Sequence, residues 1–362
     1  MKVAVVGGGI IGLFTAYYLN EDEVTIFEKE ELGFGSVHAA GLIEPYRFDK
    51  INSLSMIKKM LKLRKEGVTT LKEVDKSWLL TLLRELERKP PQDAWDTLRE
   101  MAAFSLSEYK RMAEERNDFI YKEDGLLEVY SSMQDLEKGL EEERKSPFKN
   151  KFEEVDIEGF AGGIFFPELS RLSTESFIER MKREINAKVV KKEVLHIKEG
   201  KIGTRKYDVV IVTAGVNSRE FIKVPLTAFR GVGFRVKGKP VLNYPFVHVK
   251  RGIAISPLDN HVKLTGGFDA DFSDQDRREE ILNSSSDLIK IEEIIDIKSG
   301  FRPCSPDGFP ILGKVGNVII STGACRLGWS YAPAMGKAAA DLVYDRRKDY
   351  GYLSRFVKEY ET

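Results

Sequence analysis

The sequence predicts an α/β chain in two parts, one built on a parallel sheet and the other on an antiparallel sheet. Three observations carry this. A strand–glycine turn–helix–strand pattern fills Met1 to Glu28. A buried apolar run, Tyr207 to Gly215, reads as another strand of the same sheet. Short alternating stretches punctuated by Pro240, Pro245, Pro257 and several glycines fill the region from Leu226 to about Phe272. At 362 residues the chain exceeds one ordinary domain, and its 42% apolar fraction supports substantial cores.

The first unit is the most informative. Val3, Ala4, Val5 and Val6 form a short strand, followed by Gly7, Gly9 and Gly12 in G-x-G-x-x-G spacing. Ile10 to Leu19 has apolar residues at helical spacing, and Val24 to Phe27 is a second strand ending at Glu28, 21 residues after Gly7. Gly7 permits the tight turn, Gly9 lets the backbone approach a pyrophosphate, and Gly12 lets helix and strand pack closely. The helix N-terminus offers free N–H groups and a positive dipole end to phosphates. Glu28 can accept hydrogen bonds from ribose hydroxyls. This is a Rossmann-like dinucleotide fingerprint, and at this point FAD and NAD are both open.

The stretch Lys29 to Pro45, with GSVHAAG at 35–41, is rich in small residues and reads as a second phosphate-contacting segment. Residues 51–117 read as amphipathic helices broken at Pro90-Pro91. Met56, Ile57, Met60, Leu61 and Leu63 alternate there with Lys58, Lys59, Lys62, Arg64 and Lys65, which describes a helix with one buried and one basic face. Tyr121 to Tyr130 reads as a hairpin-like strand pair around Asp124-Gly125, followed by helices at 132–145 and 173–185, the latter capped by Ser173. Strands are expected at 187–192, 194–198 and 202–205, with a turn at Glu199-Gly200-Lys201. Charged helices are expected at 274–283 and 286–297, and a last helix from Pro333 to about Tyr344.

The totals exclude several function classes. Basic and acidic residues number 57 each, so nothing global points to nucleic acid. No apolar stretch is long enough to span a bilayer, and the N-terminus is already a strand of the cofactor fold. A soluble, cytoplasmic protein is expected. Cys304 and Cys325 lack metal-ligand spacing and are read as two buried thiols, with a disulfide as the alternative, and no metal is expected. The 31% charged content leans towards heat adaptation.

The C-terminal part holds GFRPCSPDGFPILG (300–313), then GACRLGWSYAPAMG (323–336). With the N-terminal GGGIIG and Glu28, the GSVHAAG segment and VVIVTAG, these motifs make the chain resemble the FAD-dependent D-amino-acid dehydrogenase and glycine/sarcosine oxidase family over essentially its whole length. The resemblance implies non-covalent FAD in a glutathione-reductase-type Rossmann-like domain, with a sheet-based substrate domain over the flavin. The implied division is 1–46, 150–221 and 296–362 for the FAD-binding domain, and 47–149 and 222–295 for the substrate domain.

Carried over by position, the resemblance implies that Gly7, Gly9, Ile10, Ile11, Gly12, Glu28 and Lys29 hold the ADP half, with Val194 at the adenine. Ser36, Ala39, Ala40, Gly41, Ala214 and Gly215 would line the pyrophosphate and flavin. Gly300, Gly323, Leu327, Gly328, Trp329 and Ser330 would surround the isoalloxazine. Arg302 would bind the substrate carboxylate, with Arg326 as the fallback anchor and Trp329 as a further substrate contact. Two departures stand out: Ala324 where dehydrogenases of this group commonly have His, and Arg326 in place of a usually small or uncharged residue.

The implied activity is oxidation of a small amino acid (a D-amino acid, glycine, sarcosine or a proline-like acid) to an imine, which hydrolyses to a 2-oxo acid and ammonia. The LGWS run at 327–330 resembles the dehydrogenase branch. A quinone, a partner redox protein and O2 are the alternative electron acceptors, and a homo-oligomer is expected. One rival is oxidation of a 2-hydroxy acid or polyol phosphate, which needs a base such as His38 or His248. The other is a flavin-carrying subunit that docks through the region from Met56, at a membrane surface or on another subunit.

Overall fold

Runs of β-branched residues buried on both faces, alternating with amphipathic helices, set the element order in the computed structural model, which describes residues 1–270, 277–347 and 349–358. In chain order the sheet strands are β1 (Lys2–Val6), β2 (Glu23–Glu28), β3 (Leu126–Tyr130), β4 (Glu153–Val155), β5 (Gly162–Phe166), β6 (Ala187–Lys191), β7 (Val209–Val212), β8 (Thr227–Pro240), β9 (Phe246–His248), β10 (Ile253–Pro257), β11 (Val262–Asp269), β12 (Ile289–Cys304), β13 (Ile311–Val315) and β14 (Val318–Thr322). The longer helices are α1 (Ile10–Tyr18), α2 (Leu54–Lys65), α3 (Lys76–Arg84), α4 (Gln92–Glu115), α5 (Met133–Arg144), α6 (Thr174–Glu184), α7 (Arg278–Ser285) and α8 (Gly328–Val343), and a single turn, Arg355–Lys358, follows.

The first sheet has six strands in the order β13-β14-β7-β1-β2-β6, parallel except for β13. Val6 pairs with Val212 on one side and Phe27 on the other, so the carboxyl ends of the three strands finish together. That edge is where ligands bind in doubly wound sheets. Helices α1 and α8 cover one face, and a Cβ on Gly336 would stand 2.6 Å from Phe14 Cβ and 2.8 Å from Thr15 N. The second sheet has eight strands, β12-β8-β11-β10-β9-β3-β5-β4, antiparallel except where β9 meets β3. Strands β8 and β12 pair from Thr227–Cys304 to Pro240–Ile289, with two register shifts.

Several expectations are corrected. The stretch 286–297, expected to be helical, lies largely in β12, because isoleucines at 289, 291, 294, 295 and 297 supply β-branched side chains along its partner β8. No hairpin forms at Asp124-Gly125; β3 begins at Leu126 and pairs with β5 and β9 instead. Residues 192–197 form no strand, and 201–206 form a two-stranded ladder. Positions 274–276 of the expected charged helix lie outside the described residues, and α7 covers Arg278–Ser285. The domain ranges also shift: β4 and β5 belong to the second sheet, and β12 runs through the 295/296 boundary. Cys304 and Cys325 form a disulfide, because a backbone bridge between Cys304 and Ala324 brings the two residues together.

Helix α8 starts at Gly328 and carries Pro333 inside it, five residues past the start. Proline there cannot donate to the carbonyl of Trp329. Tyr109 from α4 makes up the deficit: its hydroxyl donates to Trp329 O at 2.8 Å. One residue on, Ala334 N donates to Ser105 Oγ at 3.3 Å.

This arrangement predicts a coupling. Tyr109→Phe leaves a buried carbonyl unsatisfied and should destabilise the fold by about 1–3 kcal/mol in denaturant unfolding. In a Pro333→Ala background the restored N–H serves the same carbonyl, and the cost of Tyr109→Phe should shrink. Equal costs in both backgrounds would contradict this account.

Candidate functional site

The turn after β1 is built as its glycines require. Gly7 sits at φ +105°, and a Cβ there would stand 2.6 Å from Thr213 O. A Cβ on Gly12 would lie 2.0 Å from Gly7 O, so α1 approaches the turn at a distance only glycine permits. Thr213 Oγ1 donates to Gly7 O at 2.8 Å, fastening the end of β7 to the same turn. Glu28, at the end of β2, accepts from Gly8 N at 2.7 Å and Glu30 N at 2.9 Å. Val194 is buried beside Val6, Phe27 and Val210. Lys29 lies further out, 3.6 Å from Glu193 in an exposed ion pair.

The segment after Glu28 returns to this turn. Gly33 N donates to Gly8 O at 2.8 Å, and Ser36 Oγ accepts from Ile10 N, the first residue of α1, at 3.0 Å. The small residues Ala39 and Ala40 follow, and Gly41 adopts φ +76° where a Cβ would stand 2.1 Å from Leu172 O. Ala214 and Gly215 follow β7, and Gly215 O accepts from Thr322 Oγ1 at 2.9 Å. Gly323, at φ +82°, then turns the chain from β14 towards Leu327 and α8. Gly7, Ile11, Ser36, Gly215 and Gly323 thus cluster on the carboxyl edge of the first sheet.

The second sheet carries Arg302, the residue expected to hold the substrate carboxylate. Arg302 pairs with Phe229 across β12 and β8, and next along the same face Gly300 pairs with Gly231. A Cβ on Gly231 would stand 2.3 Å from Arg302 Nη2, so the guanidinium occupies space that only glycine leaves free. Arg302 Nη1 donates to Gly267 O at 2.9 Å, and its Cζ lies 5.7 Å from the centroid of the Phe268 ring. No carboxylate lies within ion-pair distance of it among the described residues. Burial, followed by the positive charge of Arg326, pushes its pKa down to about 10, with Asp269 and Glu44 offsetting part of the shift. It therefore stays charged at neutral pH, with no ion-pair partner among the described residues. Gly300 faces the ring of His38 and Gly35 O, 3.5 and 3.6 Å from its projected Cβ.

Arg326 does not fit the fallback role. Its Nε donates to Asp49 Oδ2 at 2.5 Å, its Nη1 to Glu44 Oε1 at 2.6 Å, and its Nη2 to Arg47 O. Burial depresses its pKa, but Asp49 and Glu44 more than offset that and hold it charged. Its binding capacity is spent on the chain. Trp329 is likewise no surface for substrate: it is buried against Phe177, and its Nε1 donates to Ser36 O at 2.9 Å. Ser330 Oγ accepts from Glu44 N at 2.9 Å. Both residues act on the site by holding the 36–44 segment.

A cavity of 150 Å³ opens on the same sheet face, between His38 and the charged side chains Glu175, Arg235, Lys263, Asp296 and Lys298. Burial, and then Lys298 and Lys263, lower the His38 pKa to about 4, so its ring is neutral. His248 is buried in the second sheet beside Ser131 Oγ at 3.0 Å, among none of these residues. The sequence reading missed Thr213, Gly231, Gly267 and Glu44. Only the strand-interior glycines of GVG at 231–233 carried a signal, since glycine there marks a close approach.

The phosphate-accepting turn at the edge of the first sheet, together with the chain's family and relatives, identifies an FAD-dependent enzyme of the amino-acid dehydrogenase and oxidase class. The chain belongs to the FAD-dependent oxidoreductase family, whose model matches residues 2–342. It is 39% identical over 354 residues to a D-proline dehydrogenase of Pyrobaculum islandicum, covering 95% of this chain and 96% of that protein. A D-amino acid dehydrogenase of Helicobacter pylori is 24% identical over 410 residues, covering 99% of each. The fold is similar to that of glycine oxidase from Geobacillus kaustophilus, with a TM-score of 0.73, 19% identity and coverage of 98% and 97%. L-proline dehydrogenase from P. horikoshii is similar at a TM-score of 0.67 and 17% identity, covering 99% and 98%. FAD is the cofactor, and the Gly7–Gly12 turn, the α1 N-terminus and Glu28 fit its ADP half.

Two substitutions check the geometry. Gly12→Ala should yield colourless protein, because its Cβ cannot coexist with Gly7 O; bound FAD is read by absorbance after desalting. Gly231→Ala should keep FAD but raise KM for a carboxylate substrate, because it displaces Arg302 alone.

Proposed function

We propose that this chain oxidises a small D-amino acid of the proline type at its Cα–N bond and passes the electrons to an acceptor other than oxygen. The observation that carries this reading is Arg302: a half-buried guanidinium held at one nitrogen by Gly267 O, with no carboxylate against its remaining donors among the described residues. A planar guanidinium meets a carboxylate through two parallel hydrogen bonds, which fixes both position and orientation. The proline-type assignment draws on the activity of the relative from Pyrobaculum islandicum.

FAD, when bound, accepts a hydride at N5 from the substrate carbon. The chain supplies orientation and dryness. Arg302 grips the carboxylate, Gly231 and Gly300 keep the sheet face low beneath it, and Phe229 and Phe268, stacked with centroids 4.2 Å apart, wall off water on one side. A neutral amine can lose hydride without a protein base, which matches the absence of any titratable group donating to or accepting from Arg302 among the described residues. A cyclic secondary amine would leave as a cyclic imine, and a primary amine as an imine that hydrolyses to a 2-oxo acid and ammonia. The 2-hydroxy-acid alternative is less well served, since His248 lies elsewhere and His38 sits beside the cluster of Lys263 and Lys298.

The test is a screen of D- and L-proline, D-alanine, glycine and sarcosine with a dye acceptor. D-proline should give the highest kcat/KM, and hydrogen peroxide should form far more slowly than dye is reduced. Arg302→Ala removes one partner of a buried charge pair, worth about 2–5 kcal/mol, and should weaken substrate binding roughly thirty-fold to several-thousand-fold with FAD content unchanged. Arg302→Lys should recover part of the loss. Arg326→Ala should instead lower stability, because Glu44 and Asp49 lose their shared cation. Normal affinity in Arg302→Ala would overturn the assignment. The flavin should separate from acid-precipitated protein, in keeping with non-covalent binding.

A further inference from the structure

Helix α2 buries none of its 12 residues. Its sequence, LSMIKKMLKLRK, holds five basic side chains and no acidic one. Leu54 and Leu61 are 49% and 47% exposed. Helix α3 buries Trp78 and Leu82 but leaves Leu79, Leu80 and Leu83 at 42%, 65% and 55% exposure. Residues 54–84 carry eight basic and three acidic side chains in a chain whose total charge is zero. Both helices turn Ile57, Met60, Trp78 and Leu82 into one apolar cluster and leave these leucines exposed within a basic stretch of chain, a different pattern from the scattered apolar residues of an ordinary surface.

A groove of 330 Å³ adjoins this patch, between α3 and the 223–225 stretch. Leu80, Pro225 and Phe356 make its apolar walls, and Arg84 and Lys223 supply charge, with no acidic residue among the described residues of the lining. Cations around apolar walls suit a molecule with an anionic head and a hydrocarbon body.

We propose that the α2–α3 face and its groove dock the enzyme on an anionic lipid bilayer, lying in the interface without crossing it. No helix among the described residues is long and apolar enough to span a membrane. Leucines on two adjacent helices can enter the acyl boundary, while lysine and arginine stems bend their charges back to the headgroups. A second copy of the chain is a poorer occupant: a two-fold contact would set this basic face against itself. The connector between the helices also reaches the substrate anchor. Thr69 Oγ1 donates to Phe268 O, and Thr70 N donates to Asp269 Oδ1 at 2.6 Å, next to the Gly267 carbonyl that holds Arg302. The docked face is therefore continuous with one wall of the site. This inference stands on the surface and does not depend on which amino acid is oxidised.

The test is flotation of the full-length holoenzyme with vesicles of phosphatidylglycerol and phosphatidylcholine, or of phosphatidylcholine alone, at low and high salt. Binding should need phosphatidylglycerol and weaken with salt. Each basic side chain near an anionic surface contributes roughly fivefold, so Lys58→Gln, Lys62→Gln and Lys65→Gln together should lower partitioning roughly a hundredfold. Leu79→Ser, Leu80→Ser and Leu83→Ser together should also abolish binding with no change in charge. Both variants should keep FAD and dye-linked turnover in solution. Absence of binding to phosphatidylglycerol at low salt would overturn the proposal, as would unaltered binding by either variant. A wild-type dimer that ignores vesicles and becomes monomeric in the leucine variant would assign the face to a second copy and overturn it equally.

Discussion

A guanidinium half withdrawn from water, with a carbonyl and no carboxylate against it among the described residues, is a costly object, and much of the second sheet can be understood as the means of keeping it there. Arg302 projects from β12, which pairs along nearly its whole length with β8. Gly231 makes the room, the Gly267 carbonyl accepts a hydrogen bond, and Phe268 offers a ring face. None of these neutralises the charge. On the proposed reading an incoming carboxylate supplies the missing charge, and binding energy is directed at the group that aligns the substrate.

The two arginines of the site region show how context divides one chemistry into two jobs. Arg326 meets Glu44 and Asp49, and nearby Arg47 reaches Glu128 and Glu143, so the cations there are matched by carboxylates. That network anchors residues 44–49, and Ser330 and Trp329 secure 36–44 immediately before them. The segment facing the cofactor edge is thus held from behind by satisfied ion pairs and hydrogen bonds. The field of Arg326 also reaches Arg302 and disfavours its charge, which sharpens the demand for an anion at that position.

Legibility in the sequence followed the range of the interactions. The Gly7–Glu28 unit could be read because its constraints lie within a single strand–turn–helix–strand passage, where each glycine answers a local steric demand. Arg302 drew notice through its place between Phe301 and Pro303 beside a glycine-rich turn, and it lies on the same sheet face as Gly300 and Gly231. What could not be read was long-range. Isoleucines from 289 to 297 suit a helix face or a strand equally well, and only pairing with β8 decides between them. Pro333 looks like a helix start until Tyr109, from a helix more than two hundred residues earlier, satisfies the carbonyl it strands. Arg326 looked like a ligand residue because nothing local announces that Glu44 and Asp49 converge on it.

The Cys304–Cys325 bond spans 21 positions and encloses β13 and β14, the edge hairpin of the first sheet, in a covalent ring. One end of the ring is the last residue of the strand bearing Arg302; the other lies in the turn leading into α8. Closing a ring of this size removes about 3 kcal/mol of freedom from the unfolded chain. It also forbids the two sheets from parting at that seam. The sulfurs also lie in the apolar cluster of Trp78, Leu82, Phe229 and Ala270, against which Leu71 and Val74 of the 66–75 connector pack, so the covalent ring rivets both sheets and the connector together at one seam.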